Sequence, residues 1–415
     1  MEGSHTGDTP TAGDVEIMLA GLLRDSHTLT LDRLPAVVAK HAARVGIESV
    51  RVYLADLQQR VLRPVPDRPA AGGPPPETGD VELRIDTTPA GRSFQELRVL
   101  AAPLKEGRGR TRWWVPLLDG AERLGVMRAV TAGPGAADER TLRELASVVA
   151  LILTGMKTRS DTYRRLVCSR PVNVAGELQW RLAPPSTVAT GTLTVGAIME
   201  PAYEVGGDAF DYAVNGDTLH LAVFDAMGHD VSAGLTAAFA VSALRANRYR
   251  NLDLAACGEA VERLLIEEYG EETRFVTAIM AELNLSGGTF RWINHGHLPP
   301  VVIRGGHRSA ILECPPAHPM GMDLGLPVTV CEERLEPGDQ VLLYTDGVVE
   351  AGGRHGPEFG LPGLVDFVVD QSATGLPVPE ILRRLIKDVV ARHRGRLGDD
   401  ATVVLVRRHG RAVSG

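Results

Sequence analysis

The chain has 415 residues, 44% of them hydrophobic and 23% charged, with a formal net charge of −8. That length exceeds one ordinary core and predicts two domains of a folded, water-soluble protein. The acidic balance argues against nucleic acid as the main partner, and the longest apolar run, Leu145 to Met156, falls short of the roughly 20 residues of a membrane span.

The polar, acidic N-terminus does not resemble a signal peptide, and residues 1–14 are expected to be a disordered tail. Cys168, Cys257, Cys314 and Cys331 form no CxxC and no metal-ligand spacing, a usage that fits a reducing cytosol and predicts a cytoplasmic protein. Helical periodicity follows from Leu31 to Gly46, then a strand from Val50 to Asp56. The Pro/Gly-rich stretch Arg68 to Asp80 reads as a surface loop, and Arg112 to Val130 as two strands joined by a short loop. A long helix begins near Asp138.

Helix, strands, loop, hairpin and terminal helix in that order resemble a GAF-type sensor domain over residues 15–158, which implies an α/β fold and either a small-molecule ligand or partner, or a purely structural domain that binds nothing. In the terminal helix, Leu142, Leu145, Val149, Ile152 and Met156, continued by Tyr163 and Leu166, alternate in steps of three and four with Arg159 as the interruption. Such spacing fits either a helix packed on its own domain or the seam of a parallel homodimer. A helical linker is expected over 159–189, closed by Pro184-Pro185, which no helix can continue through.

The remainder, 190–410, carries short strand signals in runs, with helical stretches inserted between the runs. That order predicts an α+β sandwich rather than a parallel βαβ array. Its apolar strands end in carboxylates: Asp208 in VGGD, Asp225 in LHLAVFDA, Asp346 in VLLYTDG, and Asp399 with Asp400 in GDDATVVLV. Any one could be a turn residue. Together, at the rims of sheets, they form an oxygen donor set for a hard cation such as Mg²⁺ or Mn²⁺. Gly206-Gly207-Asp208 also lies close to the GGDEF motif of diguanylate cyclases. Ala209 stands where that motif has Glu, the upstream cyclase stretch is missing, and a cyclase would give Asp346 and Asp399 no role.

The stretches EPAYEVGGDAFDY, FDAMGHDVSAGLTAA, RFVTAIMAELN, INHGHLPPVVI, EPGDQVLLYTDGVVEA and GDDATVVLV resemble, in family order, the type 2C metal-dependent Ser/Thr protein phosphatases of the bacterial SpoIIE branch. The resemblance implies an α-β-β-α sandwich and two divalent metal ions, Mn²⁺ or Mg²⁺. It makes Asp225 the bridging ligand, Asp208 and the Ala226 carbonyl ligands of the second metal, and Asp346 and Asp399 ligands of the first, with Asp400 beside them. It implies attack of metal-bound water on the phosphate of a phosphorylated STAS-type anti-sigma-factor antagonist. Where the family reads GDVSGHG this chain reads FDAMGHD, so Ala226, the expected carbonyl donor, stands opposite Val and Asp230 replaces the last glycine. That departure keeps a second reading open, a catalytically silent module that binds a partner. His295 and His297 read as hydrogen-bonded turn residues, and His229 as a weaker candidate for contact with phosphate.

Overall fold

The structure is a computed structural model and describes residues 10–67, 81–104, 109–132, 137–200, 206–228, 230–270, 274–352, 359–393, 397 and 399–410. The expected loop from Arg68 to Asp80, and His229, lie outside these. The chain divides into two units, Met1–Ser169 and Arg170–Gly415.

The first unit is built from α1 (Ala12–Ser26), α2 (Leu34–Ala42), β1 (Ile47–Ala55), β2 (Val61–Pro64), β3 (Leu83–Arg84), α3 (Pro89–Glu96), β4 (Leu100–Pro103), β5 (Thr111–Asp119), β6 (Glu122–Thr131), α4 (Glu139–Met156) and α5 (Asp161–Val167). The strands form one antiparallel sheet ordered β3-β2-β1-β6-β5-β4. Alternation decides its two faces. Val52, Leu54, Met127 and Ala129 join α1, α2 and α4 in one core, while Tyr53, Ala55 and Val126 meet Phe94 of α3 on the other side.

Three expectations are corrected here. Residues 11–14, expected in the disordered tail, are instead ordered, because Thr11 caps α1 and exchanges hydrogen bonds with Asp14. The seam of Leu142, Leu145, Val149, Ile152 and Met156 is buried in its own unit, none above 7% exposed, and so offers no stripe to a second copy. Finally, no single helix runs on into the linker. Helix α4 stops at Met156, Ser160 caps the separate α5, and the unit boundary falls after Ser169.

The second unit opens with α6 (Val174–Leu182), β7 (Thr187–Ala189), β8 (Leu193–Glu200), β9 (Asp208–Asn215), β10 (Thr218–Ala226), α7 (Val231–Arg248), α8 (Leu254–Tyr269), β11 (Val276–Asn284) and β12 (Thr289–His295). It continues with β13 (Val301–Arg304), β14 (Arg308–Ile311), β15 (Cys331–Arg334), β16 (Gln340–Tyr344), α9 (Asp346–Val349), α10 (Gly360–Ala373), α11 (Val378–Arg392) and β17 (Ala401–Arg408). Two antiparallel sheets result, β15-β12-β11-β10-β9 and β14-β13-β16-β17-β8-β7. Leu219, Leu221 and Val223 of β10 point between the sheets with Val404, Val406 and Leu343. Ala222, Phe224 and Ala226 point outward under α7 and α8, and Val403 and Leu405 pack beneath α10 and α11. The layers are therefore helix, sheet, sheet, helix, an α+β sandwich.

Helix α6, expected in the linker, belongs to this unit. Gln179 Nε2 donates to the Gly234 carbonyl of α7 at 3.1 Å, and Arg245 of α7 donates to the Leu182 carbonyl. Cys314 and Cys331, read as scattered thiols, are joined in a disulfide, since edge strand β15 brings Cys331 beside the segment after β14. Cys168 and Cys257 are not disulfide-bonded. Among the described residues no helix is long and apolar enough to cross a membrane.

Candidate metal centre

Asp208 opens β9 and Asp225 stands opposite it near the end of β10, direct partners in the antiparallel register. Asp346 begins α9, immediately after β16, and Asp399 and Asp400 immediately precede β17, the neighbour of β16. The ends of both sheets thus meet, which brings together the four carboxylates singled out in the sequence and Asp400 as well.

Their electrostatics record the crowding. Burial, reinforced by the charges of Asp346, Asp399 and Asp400, pushes the Asp225 carboxyl up to about 7. Burial, then Asp400 and Asp225, drives Asp208 well above the usual carboxylate range. Asp346 rises through burial and through Asp399. Asp400 rises to about 6 through burial, although the backbone amides of residues 206–208 oppose it. Among the described residues the ion pairs of this unit fall elsewhere, for example at Asp211, Glu262, Asp339 and Glu380. Desolvated carboxylates facing one another without a countercharge are stable as anions only beside a cation.

Donor chemistry and excess negative charge thus fit hard divalent ions. Among the described residues no three His, Cys, Asp or Glu side chains close round a common point.

Two glycines let the strand ends approach. A Cβ on Gly207 would lie 2.2 Å from the Ala226 carbonyl oxygen and 2.7 Å from that of Gly228. A Cβ on Gly347 would lie 2.1 Å from the Asp400 carbonyl oxygen. Gly347 therefore serves close approach, and its φ is not positive. Ala226 keeps a strand φ, so its carbonyl needs no glycine to be placed, and its methyl is absorbed under α7. Asp230 is the N-cap of α7, its Oδ1 accepting from the Ala233 amide at 2.9 Å. Its charge is thus spent on the positive end of a helix.

The histidines of INHGHLPP hold the turn, as expected. The His297 Nε2–H donates to the Tyr344 carbonyl at 3.1 Å, which leaves Nδ1 to accept from Thr277 Oγ1 at 2.7 Å. Asn294 clamps the same turn through the amide and carbonyl of His297, and His295 Nδ1 meets the His318 carbonyl.

Sequence reasoning missed Thr345. Fully buried, it donates from Oγ1 to Asp208 Oδ2 at 2.8 Å and accepts from the Thr402 amide at 2.9 Å. It also gave Asp400 no separate task, whereas Asp400 Oδ2 accepts from the amides of Gly206 at 2.9 Å and Asp208 at 3.2 Å. The sole signal was the TD and DD pairs at the strand ends, which do not reveal a hydrogen bond.

A family model described as stage II sporulation protein E (SpoIIE) matches residues 215–409. The match takes in Asp225, Asp346, Asp399 and Asp400 and begins after Asp208. Phosphoserine phosphatase RsbU of Bacillus subtilis (strain 168) is 20% identical over 237 residues, covering 57% of this chain and 70% of that protein. Protein IcfG of Synechocystis sp. is 21% identical over 262 residues, 56% of this chain and 40% of that one. Among solved structures, the RsbU and RsbW domains of Rv1364c from Mycobacterium tuberculosis align at 26% identity with a TM-score of 0.45, over 55% of this chain and 62% of that chain. Over residues 215–409, within its second unit, this chain is thus similar to the SpoIIE-type serine/threonine phosphatases.

Proposed function

We propose that the second unit hydrolyses phosphoserine or phosphothreonine esters on a partner protein, with divalent cations held by Asp208, Asp225, Asp346, Asp399 and the Ala226 carbonyl. One observation carries this reading: buried and half-buried carboxylates from the ends of two sheets, raised in pKa by burial and then by one another, and without an ion-pair partner among the described residues. Two bound Mn²⁺ or Mg²⁺ ions would supply Lewis acidity and an activated water.

The chain's own residues then do three things. Asp225, which is electrostatically coupled to Asp208, Asp346 and Asp399, would hold cations together with them. Asp400 and Thr345 hold the backbone and carboxylate of Asp208. Thr345, next to the acidic cluster, offers no nucleophile, since it is fully buried with its hydroxyl already engaged. That favours direct transfer of the phosphoryl group to water, without a phosphoenzyme. An unneutralised cluster would repel a phosphate dianion, so cation binding is a condition of turnover.

The likeness to RsbU supports a phosphorylated STAS-type anti-sigma-factor antagonist as the substrate. The first unit, a sheet covered by helices on both faces, is read as a GAF-like sensor for a small molecule or partner. A second reading, a silent partner-binding module, draws on the lack of three convergent ligands among the described residues.

Hydrolysis of p-nitrophenyl phosphate by the purified chain with Mn²⁺, Mg²⁺ or EDTA, beside Asp225→Asn, separates the two. Turnover with Mn²⁺ that disappears in EDTA and in the variant supports the enzyme. Mn²⁺ binding without turnover of this ester or of a phosphorylated antagonist supports the silent module.

A further inference from the structure

We infer that Thr345 is a positioning residue that aims the Asp208 carboxylate at the cation site, through a one-way hydrogen-bond chain from the Thr402 amide to the Thr345 hydroxyl to Asp208 Oδ2. The inference rests on the reading of Asp208 as a metal ligand.

The geometry fixes the direction of every proton in that chain. An amide N–H can only donate, so the Thr402 amide, 2.9 Å from Thr345 Oγ1, occupies a lone pair of the hydroxyl. The hydroxyl hydrogen must then point elsewhere, and Asp208 Oδ2 lies 2.8 Å away. Thr345, Thr402 and Asp208 are all nearly or fully buried, so no solvent competes for these groups. The backbone clamp between Thr345 and Thr402, amide to carbonyl at 3.1 Å, ties the hydroxyl to the strand pair β16–β17.

Asp208 itself belongs to the other sheet. Its amide is held by Asp400 at 3.2 Å, and Asp400 stands beside β17. The carboxylate is thus gripped at one oxygen and the backbone at its nitrogen, both from the opposite sheet, leaving Oδ1 as the oxygen without a hydrogen bond from Thr345. A ligand fixed by an outer partner loses less freedom on binding metal. Removing such partners typically costs about 10- to 100-fold in metal affinity or activity.

The test compares the full chain with Thr345→Val, which keeps the shape and removes the hydroxyl, Thr345→Ser, which keeps the hydroxyl, and Asp208→Asn. Mn²⁺ binding is measured by calorimetry, alongside ester hydrolysis across a Mn²⁺ titration and circular dichroism of the metal-free proteins. We expect Thr345→Val to fold, to bind Mn²⁺ roughly tenfold more weakly, and to regain most of its turnover at high Mn²⁺. Thr345→Ser should bind within about twofold of the parent.

Should Thr345→Val fail to fold, Thr345→Ala replaces it with the same expectation. If Asp208→Asn weakens Mn²⁺ binding while the hydroxyl-free variant binds as the parent does, the positioning role is overturned and the metal reading survives. If Asp208→Asn binds Mn²⁺ as the parent does, the metal reading fails and takes the positioning role with it. Equal weakening by Val and Ser would mean that packing matters rather than the hydroxyl, which also overturns the role.

Discussion

At Gly207 the structure leaves no room for a side chain, because the obstacle is backbone on both sides, the carbonyls of Ala226 and Gly228. Gly207→Ala must push β9 away from β10 at the pair Asp208 and Asp225. Overpacking of this kind costs about 1–3 kcal/mol, and the displacement falls on the ligands. We predict a lower melting temperature and loss of Mn²⁺-dependent hydrolysis, while Gly191→Ala, with open space around its Cβ, keeps both. A Gly207→Ala protein as active as the parent would show that the close approach is dispensable. His297 gives a prediction in pH. Burial depresses its pKa from 6.5 to about 4, so between those values the unfolded chain takes up a proton that the folded chain refuses. Its contribution is therefore complete above about 6.5 and lost as pH falls toward 4, on the order of 3 kcal/mol in all. Urea unfolding of the parent and of His297→Gln from pH 4.5 to 8 should show a steeper acid loss in the parent; parallel curves would refute it. The aspartates were legible in the sequence because an apolar strand that stops at a carboxylate marks a sheet rim. Thr345 and the task of Asp400 were not, since they depend on which strand ends face each other.

Elements were read well where periodicity had one meaning and poorly where it had two. The hairpin β5–β6 and the helix after Asp138 were plain in the alternation and in the cap, and Asp138 does accept from the Thr141 amide. The steps of three and four in α4 fit a dimer seam and a helix buried on its own sheet equally, and only tertiary packing could choose. Residues 159–189 failed for a related reason: composition showed helical pieces, but not that α6 carries Trp180 and Ala183 onto the core between the two sheets. Cys314 and Cys331, 17 residues apart, gave no sign of pairing because edge strand β15 alone brings them together. The placement of α6 leads to a truncation prediction. A fragment of residues 170–415 keeps the Gln179 and Arg245 bonds to α6, whereas 184–415 loses both and uncovers the ground beneath Trp180. The shorter fragment should be less stable in urea by on the order of 3 kcal/mol. Equal stability would mean that α6 is an ornament on this unit.

For the whole molecule, the two units have separate cores, and the acidic cluster lies entirely in the second. Heating should therefore give two transitions, because cooperativity extends only as far as continuous packing. On the proposed reading Mn²⁺ would bind the folded second unit alone and raise only one of them, by about 2.7 kcal/mol when the ion is at 100 times its dissociation constant. Asp225→Asn should abolish that shift and leave the other transition where it was. The same separation determines how control by the first unit is to be tested. Deleting residues 1–185 would remove α6 and confuse loss of regulation with damage to the catalytic unit, so the cut belongs after Ser169. If the first unit biases α7, which begins at the acidic loop and carries α6 on its side, fragment 170–415 should hydrolyse a phosphorylated antagonist at a rate different from the full chain while melting at the temperature of the second transition. Identical rates at equal Mn²⁺ would leave the first unit without a role in turnover and direct the search for its function to recruitment of a partner.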